Sequence, residues 1–226
     1  MQSIVIIPTY NEAPNVERLV TAIHQACPPM DILIVDDESP DGTGRIADQV
    51  AARDAQVAVL HRAPPRGRGL AGRDGYLAAL NRGAEAILEM DADFSHDPAL
   101  LPRFLEELKR GADVVLGSRF VSGGSDVDRG RVRRSITVLA NAFIRFVLRV
   151  PVGDCNSGYR AFRRSALLAI DPATLTSTGP SIVQEVLYRA HRARLCLVEI
   201  PLRFVDRKEG DSKLGLKLLI EGYFMI

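Results

Sequence analysis

Short β-rich runs alternate with helical patterns through the first half of this chain, and that rhythm restricts it to an open α/β sheet. The runs are Ser3–Ile7, Asp31–Val35, Val57–His61, Ala86–Met90 and Asp113–Leu116; helical periodicity falls near 14–26, 42–53, 74–85 and 97–109. Such crossovers return each strand parallel to the last, which predicts a mostly parallel sheet flanked by helices. Ligands of these sheets sit in the crevice beyond the carboxyl ends of the strands. The residues just after each run are therefore the first candidates for chemistry. They are Pro8-Thr9-Tyr10-Asn11-Glu12, then Asp36-Asp37-Glu38-Ser39-Pro40-Asp41-Gly42, then Asp91-Ala92-Asp93, then Gly117-Ser118-Arg119. Acidic and polar groups crowd one edge.

The second half is less regular. Segment 122–134 is rich in Gly, Ser and Arg and reads as a loop; a helical stretch follows to about 150, then a turn at 153–158 and a β-like run at Cys196–Ile200. No internal repeat or low-complexity linker divides the 226 residues, so one domain over 1–226 with an irregular C-terminal portion is expected. At 46% hydrophobic and 25% charged residues the balance is that of an ordinary soluble protein. The formal net charge of +1 averages over local clusters, and no nucleic-acid partner is expected. Cys27, Cys155 and Cys196 show no C-x-x-C spacing, which argues against a zinc site or disulfide framework and for a reducing, cytoplasmic setting. Met1 leads directly into Ile4-Val5-Ile6-Ile7 with no signal-peptide pattern. No stretch reaches the roughly 18 uncharged apolar residues of a spanning helix. The apolar ending Tyr223-Phe224-Met225-Ile226 nonetheless suggests a chain stopping inside a longer helix, with a C-terminal membrane segment beyond it.

Asp91-x-Asp93 carries the sharpest chemistry. In extended backbone, residues i and i+2 point the same way, so both carboxylates can converge on one cation. Hard oxygen ligands suit Mg²⁺ or Mn²⁺, which keeps waters and binds substrate phosphates. The competing reading is a helix N-cap, for which Ser95 and Asp97-Pro98 are suitable types. Asp37 occupies the equivalent point of an earlier strand, where a carboxylate accepts hydrogen bonds from a base or ribose. Ser39–Gly42 beside it is strong turn sequence. Gly67-x-Gly69-x-x-Gly72 matches the dinucleotide fingerprint formally, but Pro64-Pro65 spoils the strand–turn–helix geometry. It reads instead as a mobile basic loop near phosphates (Arg62, Arg66, Arg68, Arg73) or as a solvated surface loop.

On a helical wheel of 131–150, Arg131, Arg134, Arg145 and Arg149 share an arc of roughly 60°. Ile136, Leu139, Phe143, Phe146, Val147 and Val150 lie on the other side, with Arg133 toward them. Such a helix can rest on an anionic membrane, or pack on a core with a solvated arginine face. Arg133 wants a carboxylate or phosphate. Arg207-x-x-Gly210-x-Ser212-Lys213 suits a loop closing over phosphates, and equally an exposed turn.

In this order the motifs resemble the inverting family 2 glycosyltransferases. Asp154-Cys155-Asn156-Ser157-Gly158-Tyr159-Arg160 and the run from Phe204 to Leu214 are similar to the polyprenol-phosphate (dolichol-phosphate) mannosyltransferase branch. The resemblance spans nearly the whole chain and implies a GT-A fold, with residues 1–120 as nucleotide-sugar half and 121–226 as acceptor half. It implies metal-dependent, inverting transfer of mannose from GDP-mannose to a polyprenyl monophosphate, at the cytoplasmic face of a membrane, by a peripheral or separately anchored protein. Pro8, Tyr10, Glu12, Val35, Asp37 and Ala92 would hold the nucleotide sugar, together with Arg207 and Lys213. Asp91, Asp93 and Ser95 would hold Mg²⁺ or Mn²⁺. Asp91, Asp93 and Arg119 would act at the reacting diphosphate, and Arg133, Thr137 and Ser212 would serve the acceptor. Three departures stand out: Arg66 and Arg68 where a lysine is usual, a hydroxyl at Ser95, and Cys155-Asn156 in place of a Pro-Thr or Cys-Thr pair.

A lipid phosphate is already an anionic nucleophile, so the expected reaction is one in-line displacement without a strong protein base. The rival readings are UDP-glucose or another nucleotide sugar on the same fold, an NAD oxidoreductase, and a non-catalytic membrane-surface module built on 131–150.

Overall fold

The computed structural model describes residues 1–127 and 131–205, for the backbone alone at 127, 131–136 and 205. β1 (Ser3–Thr9), α1 (Val16–Ala26), β2 (Asp31–Asp36), α2 (Thr43–Ala51) and β3 (Val57–His61) follow the predicted alternation. So do β4 (Ala86–Glu89), α4 (Leu101–Arg110) and β5 (Val114–Ser118). Along β1, Ile4 and Ile6 face one layer while Val5 and Ile7 face the other, the period-2 pattern of a strand buried on both sides. Each face has its own apolar layer, and helices cover both.

The helix predicted at 74–85 is α3, and it runs Arg68–Asn81, starting a turn and a half earlier. Glycines 67, 69, 72 and 75 obscured it, because glycine lowers helix propensity. They are there for contact: a Cβ on Gly69 would lie 2.2 Å from Ser177 O, and one on Gly75 would lie 2.6 Å from Ile6 Cγ2. The glycine segment is therefore a packed helix start, and neither a mobile loop nor a solvated one.

The C-terminal half adds β6 (Ser125–Val127), α5 (Arg131–Leu148), β7 (Arg160–Arg163), α6 (Arg164–Ile170), α7 (Ile182–Arg192), β8 (Leu197–Pro201) and β9 (Arg203–Val205). The main sheet runs β3-β2-β1-β4-β7-β5-β8, and β6 pairs with β9 in a separate ribbon. All main-sheet pairings are parallel except those of β7, which is antiparallel to both β4 and β5. β7 escapes sequence reading because Arg160-Ala161-Phe162-Arg163 is short and carries two arginines. It lies between strands from the first half, so both halves of the chain build one sheet.

α5 departs from the predicted wheel. Among its described side chains, Asn141, Ile144 and Leu148 are buried. Much of the predicted apolar side faces outward instead, with Leu139 70%, Phe143 54%, Phe146 81% and Val147 51% exposed. Arg145 and Arg149 are exposed as well. No helix among the described residues is long and apolar enough to cross a membrane. Arg207, Ser212, Lys213 and the apolar ending at 223–226 lie outside the described residues, as does the Arg133 side chain.

Candidate active site at the carboxyl edge of the sheet

The strand ends converge as the sequence suggests, and three of them break into left-handed backbone. Asn11, Glu38 and Phe94 have φ of 60°, 56° and 60°, following β1, β2 and β4 respectively. Non-glycine residues adopt this conformation at a cost, and such residues cluster at functional sites.

Beyond β4, Ala92 is buried while Asp91 and Asp93 on either side are half-buried, so the two carboxylates share the open side. The helix-cap reading belongs to Asp97, whose side chain accepts from Ala99 N at 2.9 Å at the head of a 3₁₀ turn, Pro98–Leu100. Ser95 donates its backbone N–H to Asp93 Oδ1 at 3.0 Å. Its hydroxyl is buried with no hydrogen-bond partner among the described residues. An unpartnered buried oxygen two residues from Asp93, in a segment that carries two carboxylates, is of the hard donor type that Mg²⁺ or Mn²⁺ takes. No group of three or more His, Cys, Asp or Glu among the described residues forms a metal cage.

His96 supports Asp91 from behind. Asp91 N donates to His96 Nδ1 at 3.0 Å, and His96 Nε2 lies 3.9 Å from Asp91 Oδ2. The ring stacks on Tyr159 with centroids 4.8 Å apart. Burial pushes its pKa below the ordinary histidine value, against the carboxylates that raise it.

Underneath lies a charged network that sequence reasoning missed. Glu89 and Arg160 are register partners on β4 and β7. Arg160 Nη2 donates to Glu89 Oε2 at 2.9 Å, and Tyr76 donates its hydroxyl to the same oxygen. Arg68 Nη1 lies 2.7 Å from Glu89 Oε1, and its Nη2 donates to Asp91 Oδ1 at 3.3 Å. Burial alone would raise the Glu89 carboxyl; Arg68 and Arg160 outweigh it and hold it below the ordinary glutamate range. The signal was present: an acid inside the apolar run Ala86-Ile87-Leu88-Glu89-Met90 has to find cationic partners.

Asp37 was expected to face the ligand, but it accepts from Arg62 and, at 2.6 Å, from Gly67 N, and it is 5% exposed. These contacts tie the start of α3 to β2. The turn beside it forms as predicted: Asp41 accepts from Thr43 N at 3.0 Å and from Thr43 Oγ1 at 2.6 Å. Tyr10 lies under Arg66, whose guanidinium carbon is 5.5 Å from the ring. Pro8 is half-buried, Glu12 accepts from Asn15 Nδ2 at 2.8 Å, and the Val35 side chain is fully buried, with the residue paired to Pro8 of β1 on one side and Leu60 of β3 on the other. Thr137 is half-buried on α5.

Arg119 also has a partner that sequence reasoning missed. Its Nε and Nη2 donate to Asp154 at 2.7 and 2.8 Å, a bidentate pair that also takes Arg119 N at 3.2 Å. Asp154 begins the turn that Asn141 of α5 holds: Cys155 N donates to Asn141 Oδ1 at 2.8 Å, and Asn141 Nδ2 donates to Gly153 O. Glu199 accepts from Gly153 N and Asp154 N at 2.7 and 3.0 Å.

Residues 4–170 match the protein-family profile described as Glycosyl transferase family 2. A polyprenol monophosphomannose synthase of Mycolicibacterium smegmatis is 40% identical over 226 residues, 100% of this chain and 85% of that protein. An undecaprenyl-phosphate mannosyltransferase of Micrococcus luteus is 42% identical over 215 residues, 95% of this chain and 88% of that protein. Among solved structures, a glucosyl-3-phosphoglycerate synthase of Mycobacterium tuberculosis in complex with Mn²⁺ and UDP-glucose superposes with a TM-score of 0.70. It is 20% identical and covers 93% of this chain and 72% of its own, a likeness of fold.

Proposed function

Because the chain belongs to glycosyl transferase family 2 and is a glycosyltransferase of the GT-A type, we propose that it transfers mannose from GDP-mannose to a polyprenyl monophosphate with inversion. The observation that carries this reading is the pair of half-buried residues Asp91 and Asp93 just beyond β4, with Ser95 N donating to Asp93 and the buried Ser95 hydroxyl unpartnered among the described residues. The 40% and 42% identities to enzymes named for mannosyl transfer to lipid phosphates support the donor and acceptor.

Asp91, Asp93 and Ser95 would hold Mg²⁺ or Mn²⁺, which supplies positive charge for the departing diphosphate. Pro8, Tyr10, Glu12, the Val35 backbone, Asp37 and Ala92 line the nucleotide side, with Arg66 over Tyr10. Asp37 acts there by fixing Gly67 and Arg62 as much as by direct contact. Arg119 acts through Asp154, holding the turn at 153–158 beside Asp91; Arg207 and Lys213 complete the donor side. Arg133, Thr137 and Ser212 serve the acceptor phosphate. That phosphate is itself an anionic nucleophile, so the protein's task is alignment and charge stabilisation. The exposed apolar residues of α5, flanked by Arg145 and Arg149, give the lipid-bearing acceptor a membrane-facing surface. In this reading residues 1–226 act as one catalytic unit, with the donor held by 1–120 and the acceptor by 121–226.

Labelled GDP-mannose incubated with a short polyprenyl phosphate and Mn²⁺ should yield a lipid-linked sugar, and Asp91→Ala should abolish it. Turnover that persists with EDTA present would sink the metal reading. A panel including UDP-glucose decides the donor: preference for it would replace GDP-mannose on the same fold.

A further inference from the structure

Arg68 stands between two acids of unequal character. Glu89 is completely buried, whereas the Asp91 side chain is 32% exposed and opens on the site. The guanidinium pairs with the buried acid at 2.7 Å through Nη1, an ion pair without hydrogen-bond alignment, and donates to the open one at 3.3 Å through Nη2. Its backbone cannot move to adjust this: a Cβ on Gly67 would lie 2.3 Å from Thr178 O and one on Gly69 2.2 Å from Ser177 O, so the first turn of α3 is seated on the 177–179 backbone. Gly158 borders this contact, with a Cβ there at ordinary van der Waals distance, 3.7 Å from Arg68 Nη2 and 3.8 Å from Asp91 Oδ2.

We propose that Arg68 is a donor-positioning residue that neutralises Asp91 and transfers its outer N–H groups to the sugar diphosphate when the donor and its cation arrive. This rests on Asp91 as a metal anchor. A guanidinium and a divalent cation repel each other and compete for one carboxylate oxygen. The anchor on Glu89 decides what happens next: Arg68 stays in the site with Nη2 freed beside Asp91, where a diphosphate sharing Asp91's cation has to lie. Charge-assisted donation to phosphate then replaces the long contact to Asp91. Asp91 is thereby kept from holding the cation tightly without the donor.

The test is direct binding rather than turnover. Mn²⁺ affinity is measured by the electron paramagnetic resonance of the free ion, and GDP affinity by titration calorimetry in Mn²⁺. Arg68→Met removes the competing charge. Arg68→Lys keeps a cation for Glu89 and so protects the fold, but a single ammonium cannot bridge both acids. Mn²⁺ binding without nucleotide should tighten about threefold or more in both variants, and GDP binding in Mn²⁺ should weaken about tenfold in Arg68→Met, the scale set by one close charge largely screened by water. A merely structural Arg68 would weaken both ligands together. Unchanged or weaker Mn²⁺ binding in Arg68→Lys, or GDP binding in Arg68→Met within about twofold of the parent, overturns the proposal. Failure of the parent protein to bind Mn²⁺ with or without GDP overturns the metal-anchor reading and this inference with it. Binding that Asp91→Ala abolishes while both Arg68 variants match the parent overturns this inference alone.

Discussion

Glu89→Gln tests whether the buried network carries the stability its geometry implies. The carboxylate is completely buried, held by Arg160 at 2.9 Å, by Arg68 at 2.7 Å and by the Tyr76 hydroxyl. An amide of the same shape leaves Arg160, itself 1% exposed, without a neutralising charge and turns an N–H donor toward other donors. Removing one member of a buried ion pair costs about 3–5 kcal/mol, because the remaining charge stays desolvated. Solvent cannot screen this group, so the range applies without discount. Against a typical total of about 5–15 kcal/mol the loss is severe, and urea unfolding followed by circular dichroism should show the midpoint falling at unchanged slope. Glu17→Gln is the internal control: its pair with Arg53 has both side chains about 60% exposed, and such pairs contribute about 0–1 kcal/mol. A cost below about 1 kcal/mol for Glu89→Gln would refute the claim that burial makes the difference.

Gly69→Ala should cost about 1–3 kcal/mol and lower the melting temperature by several degrees, because its Cβ meets backbone oxygens at 2.2 and 2.8 Å. Gly158→Ala, whose nearest neighbours lie at 3.6 Å, should melt with the parent; equal effects would refute the close-packing account of α3. Glu185 accepts from Ser177 N at 2.8 Å and pairs with Arg189 at 2.7 Å. Burial raises its pKa, but these bonds outweigh that and leave it below the ordinary value. A depressed carboxylate stabilises fully above its unfolded pKa of about 4.3 and loses that contribution as pH falls through the folded value. Between pH 5 and about 3, Glu185→Gln should therefore lose less stability than the parent, and identical acid profiles would dismiss the linkage. Phe143→Ser with Phe146→Ser should weaken flotation with anionic vesicles by about tenfold or more, at about 1.5–3 kcal/mol per buried phenylalanine, while leaving the melting temperature unchanged. Undiminished flotation would remove α5 as the membrane-facing element.

The sequence by itself determined whatever depends on local pattern. Apolar runs such as Ile4–Ile7 and Ile32–Val35 are buried on both faces, so they announce β1 and β2 without further context. Parallel order then places Asp91 and Asp93 at the ligand edge, because the carboxyl ends of parallel strands all lie on one side. The Ser39–Gly42 turn was equally legible, since its hydrogen bonds are made within a few residues. Only the tertiary structure decided the rest, and in each instance the reason is a partner far along the chain. Arg160 looks like a surface residue until β7 is placed antiparallel beside β4 and sets it against Glu89, 71 positions earlier. Asp37 gains a scaffold role because Arg62 and Gly67 N, 25 and 30 positions later, reach its carboxylate. α5 has apolar residues enough for two faces, and the hydrogen bonds of Asn141 to the 153–155 turn fix which face is buried. Leu139, Phe143, Phe146 and Val147 are left outside by that choice, which a helical wheel cannot make because it has no neighbour to pack against.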